Sequence, residues 1–394
     1  MKQVETAYQE LLTWCRARNF AGYDPFDGLN SRLFQLTPLA RIPTARLIWT
    51  QILKRSPLNL RPFLFVPKQR NAKGIALFAL AALADYRRNR LSEKELEARK
   101  LLDALIEMRI RGFSGAAWGY NFDWQSRNFF APLGTPTTVP TTFAIRALIE
   151  GYEVLSDIRY LEFAKSACDF IVHDLARAGD GKDSLCFSYV PFARTRIWNA
   201  SLLAAEALAR VGQLKQEQEY SHLAKAATRY VIQQQNPDGS WPYGGNPDQA
   251  WIDNFHTAYI LYSLSKIIEA GQLGGEFSEA LELGYRFWRG RFFLADGWPK
   301  YYDDRPFPAD AHAAASAIVT FLEFTNSDEN ALAQAAGLAN WAIENLRARE
   351  GYFYYQRRRF FVVKTPHIRW TQAWMLYALA RLLEELQKQR PGSQ

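Results

Sequence analysis

A chain of 394 residues, 48% hydrophobic and 22% charged, can bury a large core and is long enough for two ordinary domains or one large closed architecture. Its formal charge of +8 favours an anionic partner, and its three cysteines, Cys15, Cys168 and Cys186, lie far apart without a C-x-x-C pair, which argues against a disulfide framework or a zinc cluster. No low-complexity linker divides the chain, and no apolar run approaches the roughly 18 residues of a membrane span.

The N-terminal text "MKQVETAYQELLTWCRARNF" reads as an amphipathic helix over 3–18, charged throughout and without the apolar core of a signal peptide, so a cytoplasmic location is expected. Residues 32–67 follow as an elaboration. From Ala72 onward, two kinds of helix alternate. "AKGIALFALAALADY" from Ala72, "TTFAIRALIEGYEVL" from Thr141, "NASLLAAEALARV" from Asn199, "DNFHTAYILYSLSKI" from Asp253, "DAHAAASAIVTFLEF" from Asp310 and "RWTQAWMLYALARLL" from Arg369 are rich in small and apolar residues. Between them lie more polar, one-sided candidates at 94–110, 157–175, 217–235, 276–292 and 328–347. The last four apolar segments recur every 54 to 59 residues, the length of two helices with their connections.

Segments apolar on most faces that alternate with one-sided helices suit an inner and an outer ring, because inner helices touch neighbours all round and outer ones face water. An open solenoid shares that local pattern. Six pairs is a closing number, and neither end carries a polar capping repeat. The expected fold is therefore all-α, a six-hairpin (α/α)6 toroid forming one domain over 1–394, with the elaboration at about 20–70.

The outer-to-inner connections carry aromatic and Gly-rich text: "GAAWGYNFDW", "LCFSYVP", "DGSWPYGG", "DGWPKYYDD" and "GYFYYQRR". In a toroid these would share one end. Polar residues opening the inner helices, among them Asn71, Thr137, Asn199, Asp253, His256, Asp310, His312, His367 and Arg369, are then expected to converge on one funnel.

The segment from Lys225 through Gln235 and Gly239 to Trp241 resembles the QW motif of terpene and squalene-type cyclases, which implies that Gln235 caps a helix and Trp241 packs on the next repeat. The turns "DGSW" and "DGW" are similar to those of six-hairpin glycosidases, polysaccharide lyases and glucuronyl epimerase-like proteins, a resemblance covering roughly 95–385. The texts "YDPFDGLNS" and "LKRSPLNLRPFLFVPKQRNAKG" resemble a group of bacterial proteins associated with surface-polysaccharide synthesis. The first two resemblances imply the toroid, and the third implies polysaccharide metabolism.

Terpene cyclisation would need a D-x-D-D acid motif, which Asp303-Asp304 does not supply, and zinc toroids need cysteine ligands that the inner helix starts lack. No metal or cofactor is expected. Sugar chemistry fits better, since aromatic faces stack on pyranose rings while polar groups bond hydroxyls. Trp118, Tyr120, Asp123, Asn199, Trp241, Tyr243, Trp298, Tyr355 and Arg369 are the expected substrate contacts, with Trp124, Tyr301 and Tyr354 also on the rim. The expected catalytic groups are His256, His312, Tyr302, Asp253 and Asp310.

Hydrolysis would draw two carboxylates from Asp123, Asp253 and Asp310, with Asp238 and Asp296 left as turn formers. Elimination or epimerisation beside a uronate carboxylate would use His256, His312, Tyr302 and Arg369. Only five histidines occur, and three stand at inner helix starts. The expected partner is an anionic oligo- or polysaccharide, which the run Arg357-Arg358-Arg359 with Lys364 would steer. Spread positive charge without a binding motif argues against nucleic acid. A glycan-binding or assembly protein without catalysis is the alternative.

Overall fold

The computed structural model describes residues 1–179, 183–271 and 273–389. In chain order its helices are α1 (Lys2–Arg16), α2 (Arg32–Gln35), α3 (Pro43–Arg55), α4 (Ala72–Asn89), α5 (Ser92–Glu107), α6 (Thr138–Leu155), α7 (Ile158–His173), α8 (Trp198–Lys215), α9 (Gln218–Ile232), α10 (Asn254–Gly271), α11 (Gly274–Arg291), α12 (Ala311–Glu323), α13 (Ala331–Leu346) and α14 (Trp374–Lys388). A π-helical turn, Ile368–Ala373, opens α14.

Helices α4, α6, α8, α10, α12 and α14 form the inner ring. Each packs on the next, and α14 returns to α4, so the ring closes and the solenoid alternative fails. The fold is the (α/α)6 toroid. Composition explains which helix goes where. Every residue from Ala311 to Leu322 of α12 is buried, mostly Ala and other small side chains that let neighbours approach on all sides. Outer helix α1 instead buries Val4, Ala7, Tyr8, Leu11, Leu12 and Cys15, a single stripe at helical spacing.

The two ends of the toroid differ. Inner-to-outer turns are short, and in three of them the residue after the inner helix, Arg90, Ser156 or Gln216, takes a left-handed conformation (φ 52°, 53° and 58°). At this end charged residues from successive inner helices pair. Arg87 of α4 reaches Glu150 of α6 (2.6 Å) and Glu384 of α14 (2.8 Å), while Glu323 of α12 meets Lys266 of α10 (2.7 Å) and Arg381 of α14 (3.5 Å).

Outer-to-inner connections are long and hold the small sheets. Strands β1 (Trp124–Gln125) and β2 (Phe130–Ala131) pair, as do β3 (Arg177–Ala178) and β4 (Cys186–Phe187), while β5 (Ala309–Asp310), β6 (Gln356–Arg357) and β7 (Val362–Val363) form a three-stranded antiparallel sheet.

The QW-like segment is a structural brace. The Gln235 amide donates to the carbonyls of Gly239 and Ala280, both at 3.0 Å, and the Trp241 indole N–H donates to Val231 of α9 (3.0 Å). Gly239 turns at φ +93°, where a Cβ would sit 2.4 Å from the Leu283 carbonyl oxygen.

The elaboration between α1 and α4 is pinned rather than draped. The buried Arg61 guanidinium pairs with Asp27 (2.6 Å) and donates to the carbonyls of Asp24 (2.9 Å) and Leu53 (3.3 Å), and the Trp49 indole donates to Gly28 (2.9 Å). Its first residues lie against the start of the last inner helix. Ile368 N–H donates to the Tyr23 carbonyl (2.8 Å), an approach that leaves no room for a side chain at Gly22.

Candidate active site

The long-connection end encloses a cavity of about 840 Å³. Its floor and sides come from the inner helix starts, through Asp253, Phe255, His256, Arg369 and Trp370. The connections add Tyr120, Phe122, Trp124, Phe129, Tyr189, Tyr243, Trp251, Tyr301 and Tyr302. One wall belongs to α3, which contributes Leu47, Ile48, Gln51, Ile52, Lys54 and Arg55.

At the centre stands a histidine held by a carboxylate. Asp253 precedes α10, and its Oδ1 accepts the His256 backbone N–H at 3.0 Å, as a helix cap does. Its Oδ2 bonds His256 Nδ1 at 2.7 Å and accepts the Trp251 indole N–H at 3.0 Å. Asp253 therefore caps the helix and fixes the imidazole at once, leaving Nε2 without a partner among the described residues. Tyr243 packs on the ring face (4.5 Å between centroids) and stacks on Trp251 (4.6 Å, 15°). Backbone pairing of Asp253 with Tyr302 brings the Tyr302 side chain into the same wall. Burial, then the Asp253 charge, raises the phenol pKa of Tyr302 and of Tyr243, so both present O–H groups at neutral pH.

The cationic groups divide into used and unused. Arg369 is nearly buried and forks onto Asp24 at 2.6 and 2.7 Å, so its charge is already matched. This corrects the expectation that Arg369 would neutralise a substrate carboxylate. It instead pins the elaboration to the π-helical turn. Lys54 has no ion pair or hydrogen bond among the described residues. Its Nζ lies over the rings of Phe26 (4.3 Å) and Trp370 (5.5 Å), and burial, opposed by the charge of Asp310, draws its pKa down to about 8. Asp253 is the one carboxylate among the described lining residues.

Asp253, His256, Tyr302, Tyr120, Tyr243 and Arg369 thus meet at the cavity, with Trp124 and Tyr301 of the expected rim, and the other expected catalytic and substrate-contact residues do not. His312 is buried beneath the floor between Phe255 (4.7 Å) and Trp370 (4.2 Å). Its Nε2 meets the Tyr259 hydroxyl at 2.6 Å, and that hydroxyl accepts from Lys73 Nζ at 3.0 Å. Burial and the neighbouring Lys73 push the His312 pKa well down, so it stays neutral. Asp310 is wholly buried as the cap of α12, accepting Ala313 N–H at 2.7 Å, with its pKa raised to about 6 by burial. Trp118 and Trp241 are wall braces, each donating its indole N–H to an outer-helix carbonyl, of Leu105 and Val231. Trp298 donates to Pro306 (2.8 Å) and packs on Trp341. Asp123 accepts Leu133 N–H (2.7 Å) within its own loop. Asn199 and Tyr355 are buried off the cavity, and His367 is buried against Tyr355. Asp238 and Asp296 close turns as expected, accepting from Ser240 and Trp298.

Sequence reasoning missed Lys54, Arg55, Phe26, Tyr189, Trp251 and Trp370 as lining residues. For Trp251, the spacing Trp251-x-Asp253 before a helix start was a usable signal. For Lys54 there was none, because α3 stands outside the repeat.

No protein-family model matches the chain, and no curated protein sequence does. Solved structures do. A cellobiose 2-epimerase from Bacillus thermoamylovorans superposes with a TM-score of 0.62 at 12% identity, over 80% of this chain and 88% of the other. An unsaturated glucuronyl hydrolase specific for heparin gives 0.60 at 16% identity over 80% and 86%. A D-mannose isomerase gives 0.60 at 12% identity over 81% and 88%. At these identities the likeness establishes the fold alone, the (α/α)6 toroid.

Proposed function

We propose that this protein is a carbohydrate-active enzyme that moves a proton to or from a ring carbon of an acidic sugar or oligosaccharide, by epimerase- or lyase-like chemistry, within polysaccharide metabolism. His256 is the acid–base group, oriented by Asp253, and Tyr302 and Tyr243 donate hydrogen bonds beside it. The observation that carries this reading is the 2.7 Å contact between Asp253 and Nδ1 in a cavity where Nε2 is left for substrate.

Three further features support it. Retaining or inverting glycoside hydrolysis works with two carboxylates across the bond, and the described lining offers Asp253 alone, already engaged by His256 and Trp251. The stacked Tyr243 and Trp251 with Trp124 and Phe129 give flat faces for a pyranose. Lys54 and Arg55 supply cationic charge for a carboxylate, whose neutralisation makes the adjacent C–H more acidic. The fold also carries sugar epimerases and isomerases among its solved examples.

The test is incubation with uronate-containing and neutral oligosaccharides in deuterated water. Deuterium at the carbon next to the carboxylate, with or without the ultraviolet absorbance of an unsaturated uronate, is the expected product signature. New reducing ends without deuterium would mean hydrolysis. Binding without product would mean a glycan-binding module.

A further inference from the structure

The arm from Arg32 to Arg70 leaves large apolar side chains in solvent although it is firmly anchored. Leu36 is 83% exposed and Phe63 77%, and Leu39 and Phe65 are likewise more than half exposed. Looseness does not explain this. Arg61 staples the arm to Asp27, and Ser31 Oγ donates to the Leu64 carbonyl (2.9 Å), which ties the turn carrying Phe63 and Phe65 to α2. Phe34 and Trp49 stack beneath (4.9 Å, 10°). The arm's apolar residues therefore divide into a set that packs it down and a set that points away.

Its charge is one-sided. No Asp or Glu occurs between Asp27 and Asp85, whereas Arg32, Arg41, Arg55 and Lys68 are exposed. The Gln356–Val363 hairpin repeats the mixture beside it, with Phe360 85% exposed next to Arg359 and no acidic residue in the loop after Glu350. Arg358 lies close enough to Arg55 and Lys54 for their charges to act on one another. Helix α3 lines the cavity, so this apolar and basic surface adjoins the cavity mouth.

We infer that this face docks on the surface of an anionic lipid bilayer, with Leu36, Phe63 and Phe360 entering the interface and the arginines and lysines meeting the headgroups. A soluble polyanion would account for the basic residues but not for the apolar side chains exposed among them, whereas an anionic bilayer surface takes both. The docking needs no membrane span, and no helix among the described residues is long and apolar enough to be one. It stands apart from the proposed chemistry, because none of the three tips lines the cavity.

The test is co-sedimentation of the full chain with vesicles of phosphatidylcholine alone or mixed with phosphatidylglycerol. Binding to the mixed vesicles, weakened by salt, is expected. The triple variant Leu36→Ser/Phe63→Ser/Phe360→Ser should partition about tenfold or more weakly with an unchanged melting temperature. The pair Arg41→Gln/Lys68→Gln, which removes no apolar contact, should also weaken binding and keeps the test valid if the triple variant is unstable. Failure to sediment with mixed vesicles at low salt would overturn the inference. So would a folded triple variant that binds like the parent, or self-association of the parent that the same substitutions abolish, since a second copy would then cover this face.

Discussion

Each loop that carries Trp-x-Tyr uses its two aromatics oppositely. Trp118 and Trp241 turn outward and bond an outer-helix carbonyl, while Tyr120 and Tyr243, two residues on, line the cavity. Removing Trp241 should therefore act on stability. Trp241→Ala is expected to cost about 3–5 kcal/mol, read by denaturant unfolding, because it empties a buried site against Gly284 and removes the indole hydrogen bond to the Val231 carbonyl. Tyr243→Phe keeps the packing and should leave stability nearly unchanged. Lys54 makes a residue-scale prediction of another kind. Its folded pKa of about 8 is depressed, so its charge is present below that value and lost above it. Affinity for an anionic sugar should fall as pH rises through about 8, and Lys54→Met should flatten that dependence in a binding titration. An unchanged pH profile in the variant would assign the charge elsewhere.

The elements show what a sequence reveals about such a fold and what it hides. Inner and outer helices were legible because their difference is local. Twelve consecutive residues that are nearly all small or apolar, as in α12, cannot face water, and a stripe such as that of α1 cannot be buried all round. The expected ring order and most boundaries followed from this. Side-chain direction at the helix starts was not legible. His256 and His312 each lie two or three residues after an aspartate that caps a helix, yet one lines the cavity and the other lies under its floor. The difference arises from the neighbouring connections and from Phe255 and Trp370, which cover His312. Arg369 was legible as a site residue and misread in role, because its partner Asp24 stands 345 residues earlier. The α3 wall escaped altogether, since an element used once leaves no repeat to read.

At the scale of the molecule, the toroid keeps its two ends for different work. One end is bound by ion pairs between inner helices, and the other carries the cavity and the docking face. Between them lies the buried pair of Arg146 on α6 and Glu206 on α8, whose carboxylate also accepts the Ser263 hydroxyl of α10 (2.8 Å). Glu206→Gln leaves the Arg146 charge buried without its match, so it should destabilise the whole ring by about 3–5 kcal/mol, seen as a lower denaturation midpoint with one cooperative transition. A cost near zero would mean that water replaces the carboxylate.

His256 is the group on which the proposed exchange of a carbon-bound proton depends. The direct measurement is the rate at which solvent deuterium enters an acidic oligosaccharide substrate, taken for the parent and for His256→Gln at matched fold stability. Incorporation by the parent and a fall of about a hundredfold or more in the variant are expected, with substrate affinity little changed because the cavity walls remain. Undiminished incorporation by a folded His256→Gln protein would contradict that role.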